Sequence, residues 1–227
     1  KPSTGGIILA AISAIVILAS IQYGIIPGIV TVASKIELLF VNTLGLPFHT
    51  GEITYGILLI VSLVGGIWFT YKENDIWYTV ILSSTAIALL GIPFMTGNGF
   101  LGILFLAGLV YGFYHLAKHY KSVLNTILVA ATVIIIAYSS FAIIVIRSLA
   151  DPPMDQNNPD NLFSLLSYLN REQYGDRPLL YGQYFNAPVI DYNETTPVYR
   201  KNDDLGKYEI IDRKFEYVFD EQFLTFF

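Results

Sequence analysis

Crossing the hydrocarbon of a bilayer takes about 20 predominantly apolar residues, and the first 146 residues of this chain meet or nearly meet that requirement five times, at about 7–26, 53–71, 76–95, 100–117 and 123–146. A chain with this pattern has few options. The predicted fold class is a polytopic α-helical membrane protein of about five transmembrane helices followed by a small extracytoplasmic α+β region. Charge divides the chain in the same place. Residues 1–146 hold five of the 13 Lys and Arg and four of the 18 Asp and Glu, so residues 147–227 hold eight and fourteen, a net of −6. Two domains are therefore expected, 1–146 in the membrane and 147–227 outside it. The acidic tail argues against nucleic acid as a partner, because phosphate backbones are bound by basic patches. There is no cysteine, which rules out disulfides and thiolate metal sites.

Lys and Arg are retained on the cytoplasmic side of membrane helices. Lys1 precedes the first apolar run, Lys72 separates the second from the third, and Lys118 and Lys121 separate the fourth from the fifth. The opposite side carries the uncharged 96–99 link and the 27–52 loop, whose only basic residue is Lys35. This places the amino end inside and the tail outside. The 27–52 loop is half apolar, and an amphipathic segment lying at the interface is the preferred reading. A re-entrant segment lining a cavity, which His49 and Glu52 could face, is the alternative. No span has an Asp, Glu, Lys or Arg away from its ends, which disfavours an ion-coupled transporter.

The chain changes character at Arg147. The run Asp151-Pro-Pro-Met-Asp155-Gln-Asn-Asn-Pro-Asp160 is stiffened by paired prolines that forbid helix. Asn158-Pro159 reads as a helix start, and Leu162, Leu165, Leu166 and Leu169 recur on one helical face. A helix is expected at about 159–174, ended by Gly175 and Pro178. Short strands are expected at 178–182 and 215–219, with a hairpin of 198–201 and 207–211 across 202–206. The acidic and amide residues of 151–160 fail the helix-loop-helix calcium pattern, because Asp160 stands where Gly is needed and Leu166 where Glu is needed. No metal site is assigned. Asn193-Glu-Thr195 matches the N-glycosylation acceptor pattern, which asks only that this stretch be exposed.

Arg171-Glu-Gln-Tyr-Gly-Asp-Arg177 crowds four charges and a phenol around one helix end. A solvated, locally paired helix terminus accounts for such a cluster. Placed at the outer membrane surface beside Arg147 and Asp155, its arginines could instead hold a phosphate through paired, planar hydrogen bonds. The candidate substrate-binding set is Arg147, Asp151, Asp155, Asn157, Asn158, Arg171, Glu172, Tyr174, Asp176 and Arg177. No catalytic residue is named.

Over Arg147-Ser148, over Asp151-Pro-Pro-Met-Asp-Gln-Asn-Asn-Pro159 and over Tyr168-Leu-Asn-Arg-Glu-Gln-Tyr-Gly-Asp-Arg-Pro178-Leu-Leu-Tyr-Gly182, the chain resembles a family of large bacterial multi-pass proteins. That family, long labelled a domain of unknown function, is related to protein O-mannosyltransferases of the GT-C superfamily. The resemblance implies a glycosyltransferase of the bacterial inner membrane, with residues 147–227 on the periplasmic side. Its donor would be a polyprenyl-phosphate-linked sugar, its acceptors exported proteins, and no cofactor is implied. The family's catalytic carboxylate lies in the first outer loop near the amino end of the full protein. Glu37 and Glu52 are the only carboxylates in the first outer loop here, and neither is assigned that role. The chain is accordingly expected to be an internal segment, inactive by itself. The reading from another class is a noncatalytic membrane anchor that presents an outer module to a partner complex.

The absence of native cysteine makes the topology directly testable. Asp204→Cys should react with an impermeant thiol reagent from outside intact spheroplasts and Asn74→Cys should not. The reverse labelling pattern would overturn the orientation.

Overall fold

The computed structural model describes residues 3–72, 75–94, 98–155, 158–174 and 181–226. Most of the chain is helical, and among the described residues four helices are long and apolar enough to cross a membrane: Thr4–Thr43, Thr50–Tyr71, Gly99–His119 and Lys121–Ser148. A fifth apolar helix, Ile76–Leu89, has 14 residues. At 1.5 Å per residue it is about 21 Å long, short of a hydrocarbon core of about 30 Å. It stops early because Gly91 turns the chain at φ 87° and a 3-10 turn, Ile92–Phe94, follows.

The first helix differs most from the sequence expectation. Instead of ending before Pro27 and giving way to an interfacial loop, it runs on to Thr43. It comprises α1 (Thr4–Ala19), a π-helical turn (Ser20–Ile25), α2 (Ile26–Leu38) and a second π turn (Leu39–Thr43). Proline in a helix interior removes one hydrogen bond and collides with the preceding turn. The wider π turn just before Pro27 relieves both, so Pro27 falls at the start of a fresh α-helical segment. The two halves have opposite surroundings. No residue of α1 is buried, whereas α2 buries Ile26, Val30, Val32 and Ala33, together with the polar Ser34 and Glu37. The stretch expected to be a loop is thus mostly a continuation of the first helix, packed against the others.

The remaining helices are α3 (Thr50–Tyr71), α4 (Ile76–Leu89), α5 (Gly99–His119), α6 (Lys121–Tyr138) and, beyond a 3-10 turn, α7 (Ala142–Ser148). Leu59 and Leu63 of α3, Val80 and Ala86 of α4, and Leu124 and Leu128 of α6 share one apolar core. Where α2 crosses the end of α4, backbone meets backbone, and a Cβ on Gly28 would lie 2.5 Å from the Leu90 carbonyl oxygen. Among the polar contacts, Asn125 of α6 donates to Thr70 of α3 at 2.5 Å near the opposite end of the bundle.

The tail opens with α8 (Leu162–Leu169), shorter than the expected 159–174 helix. Asn161, not Asn158, is its cap. The Asn161 side chain accepts from the Phe163 and Ser164 amides at 2.9 and 3.0 Å, and Ser164 completes a capping box. The helix ends where Arg171 takes a left-handed φ of 56°, and a 3-10 turn covers Glu172–Tyr174. The proposed stop at Gly175 and the strand start at Pro178 lie outside the described residues. The strands are β1 (Tyr181–Gln183), β2 (Val189–Asn202), β3 (Lys207–Phe219) and β4 (Leu224–Phe226). β2 pairs antiparallel with β3 and β1 with β4, so the four strands form one interrupted ribbon of two small sheets. The segments expected separately at 207–211 and 215–219 are both parts of β3.

Gly28→Ala should destabilise the helical core by about 1–3 kcal/mol, the usual cost of overpacking. Gly56→Ala, at a helical position with open space around it, should not. Equal melting temperatures for the two variants in detergent would contradict the close crossing of α2 and α4.

Candidate functional site

A carboxylate buried in an apolar core is costly unless hydrogen bonds replace its water. Glu37, on the last turn of α2, is 0% exposed. Its Oε1 accepts from the His49 amide at 2.6 Å, and its Oε2 from the amides of Gly51 and Glu52 at 2.8 and 3.1 Å. These amides belong to the first turn of α3 or its flank, where helical N–H groups have no partner of their own. The residue at the usual capping position, His49, makes no side-chain cap, and its φ is 69°. Glu37 therefore caps α3 from a neighbouring helix, at the positive end of that helix's dipole. The approach is tight, since a Cβ on Gly51 would lie 2.4 Å from the Glu37 Cα.

The same carboxylate receives the tail. Tyr208 of β3, 5% exposed, donates its hydroxyl to Glu37 Oε1 at 3.3 Å. Burial, and then the charges of Glu37 and Glu52, push its phenol well above the ordinary value, so it remains a donor. Beside it, Asn42 exchanges two hydrogen bonds with the Tyr208 backbone, at 2.8 and 2.9 Å. Phe48 and Phe163 pack their rings against Tyr208 at 5.1 and 5.0 Å, and the Lys201 ammonium lies 4.7 Å over Phe48. Residues more than 160 positions apart thus close into one polar and aromatic latch.

His49 Nδ1 lies 3.3 Å from Glu52 Oε2. Ligand atoms of Glu37, His49 and Glu52 fall within 4.8 Å of one another, the only such grouping of three among the described residues. A cation could be shared at that spacing. As the groups stand, however, Glu37 already accepts from three amides and a phenol, which makes the cluster first a helix cap.

Of the residues expected at the site, Asp155 and Asn158 meet on one hydroxyl, that of Ser148. Arg147 is exposed at the end of α7. The next residue, Ser148, is 2% exposed and donates to Asp155 at 2.6 Å, with the Asn158 amide oxygen 3.0 Å away. That link ties the proline-rich exit to the last long helix. Asp151 is exposed with a φ of 45°. Arg171 is exposed and lies 5.6 Å from the ring centre of Tyr174. Glu172 pairs with Lys214 of β3. Burial alone would raise its carboxyl, but the bonds from Lys214, Ser167 and Asn170 outweigh burial and hold it below the usual range. Asn157, Asp176 and Arg177 lie outside the described residues. The residues that sequence reasoning passed over are Glu37, Asn42 and Tyr208. The available signal was an ionisable residue within an apolar stretch, Glu37, read as interfacial.

Residues 175–227 match the model of a family of unknown function, DUF8416. No curated protein and no solved structure matches the chain.

Glu37→Ala should strand one buried and two part-buried amides and cost about 3 kcal/mol or more, whereas Tyr208→Phe should cost about 1 kcal/mol. Denaturation in detergent, with amide exchange followed across 207–209, separates them. Equal effects would deny Glu37 its capping role.

Proposed function

We propose that the chain is a multi-pass segment of a GT-C-like membrane glycosyltransferase. The protein would lie in a bacterial inner membrane with residues 147–227 on the periplasmic side, and transfer sugar from a polyprenyl-phosphate donor to exported proteins. Insertion is supported by the broad apolar surface of the helices, including Ile15, Leu18, Ile60, Val64, Ile103 and Ile136, each more than half exposed. Such a surface is unfavourable in water and ordinary against lipid.

The observation that supports the enzymatic reading is where the start of the stretch that resembles the O-mannosyltransferase-related family is held. Its Ser148, Asp155 and Asn158 are joined to one another at the end of the last long helix. Further along, Phe163 and Lys214 join α8 to the ribbon. A lipid-linked phosphate would present its charge at the membrane surface, and Arg147 and Arg171 are both exposed. In sugar transfer from such a donor, cations that stabilise the departing phosphate lower the barrier. The role left to these guanidiniums is to bind that phosphate, while the catalytic carboxylate is supplied by another part of the full protein.

A noncatalytic anchor is the second reading. It is favoured by the latch that fixes this module on the helices.

In the full-length protein in native membranes, Arg147→Ala and Arg171→Ala should each lower transfer from polyprenyl-phosphate sugars by about 10-fold or more, as expected for loss of a charge-assisted contact. Folded protein should be unchanged. Wild-type transfer in both variants would remove their role, and the lack of any transfer by the wild-type protein would favour the anchor.

A further inference from the structure

On the side of α5 away from the core lies an open apolar groove of about 680 Å³, lined by Trp77 from the first turn of α4 and by Ile103, Leu106, Val110, Tyr111 and Tyr114 of α5. We infer that this groove holds one acyl chain of an anionic phospholipid, with the lipid phosphate at Lys118.

Three observations fix the chemistry. The first is length. Ile103 to Tyr114 spans eleven residues, about 16 Å along a helix, which is half of a hydrocarbon core of about 30 Å. The groove therefore accommodates one leaflet's chain. Its volume also falls in the range of specific ligand sites.

The second is the wall. Trp77 packs against Tyr114 with ring centres 5.6 Å apart, so the aromatic groups gather at one end of the groove and leave aliphatic Ile103 and Leu106 at the other. Aromatic rings favour the boundary between headgroups and hydrocarbon. That end is the headgroup end.

The third is charge. Lys118 follows Tyr114 by four residues on the same helix, hence one turn further toward that end and on the same face. It is exposed, and a lysine there can lay its stem along the apolar wall with its ammonium at the phosphate level. The other lysines of this end are engaged otherwise. Lys121 donates to the Lys72 carbonyl at 2.6 Å, and Lys72 lies 4.9 Å over the Trp68 ring. The nearby carboxylate of Asp75 accepts from the Trp77 amide and caps α4. The inference depends on membrane insertion but not on glycosyl transfer.

The full-length protein would be reconstituted in vesicles of phosphatidylcholine with either brominated phosphatidylglycerol or brominated phosphatidylcholine. The reporter is fluorescence due to Trp77, taken as wild type minus Trp77→Phe. The anionic lipid should quench it at about fivefold lower mole fraction than the neutral one, the preference expected from one lysine near a surface. Lys118→Gln, a change at an exposed site, should abolish the preference while both lipids still quench. Ala107→Phe, which fills the groove, should weaken quenching by both. Equal quenching in the wild type would reduce the groove to ordinary lipid contact and overturn the inference. So would a preference that survives Lys118→Gln, or a Trp77 signal that neither lipid quenches. Transfer assays can fail without altering any of these outcomes.

Discussion

The structure depends on one buried carboxylate. Glu37 lies at the meeting point of the first long helix, the start of α3 and the tip of the tail ribbon, and its two oxygens serve all three. Without those donors its burial would be prohibitive; with them it becomes a directional contact between distant parts of the chain. The apolar core beneath can hold helices together at many small offsets. A carboxylate with four defined donors admits one arrangement, so the cap on α3 and the seat of Tyr208 are set together.

The same economy explains the first helix. To bring Glu37 to α3, the chain has to remain helical past Pro27 and then return within a few residues. The π turn before Pro27 permits the first, and the left-handed His49 and Gly45 permit the second. Gly28, Gly51 and Gly91 stand where backbones approach too closely for any side chain. α1, by contrast, contributes nothing to this core, and its apolar surface is left for lipid or for other helices.

For function, the consequence is that the tail is not a tethered domain. The Ser148 link, α8 and the Tyr208 latch hold it against the same end of the helices. That end would be the outer surface of the membrane if the basic links do face the cytoplasm. A module held in this way could order a lipid-borne phosphate or receive a partner. In either case the helices act as a frame and not merely as an anchor. The groove beside α5 lies toward the opposite end and draws only on the apolar outer side of that frame.

Much of this was legible in the residues themselves. Four of the apolar stretches form helices long enough to cross a bilayer, and the hairpin about 202–206 follows from its turn residues and flanking strand formers. These are local properties, carried by composition and short-range periodicity. The shorter α4, the unbroken first helix and the capping of α8 by Asn161 depended on geometry over one or two turns that spacing does not report. Within the expected cluster, Glu172 pairs with Lys214, 42 positions away, a partner that became available only once the ribbon had folded back. What the sequence by itself determined is which segments prefer an apolar medium and where the polar tail begins, since transfer free energy is a sum over residues. Only the tertiary structure decided that Glu37 is buried and that Tyr208 meets it, because a hydrogen bond between residues 171 positions apart exists only after every intervening turn has been made.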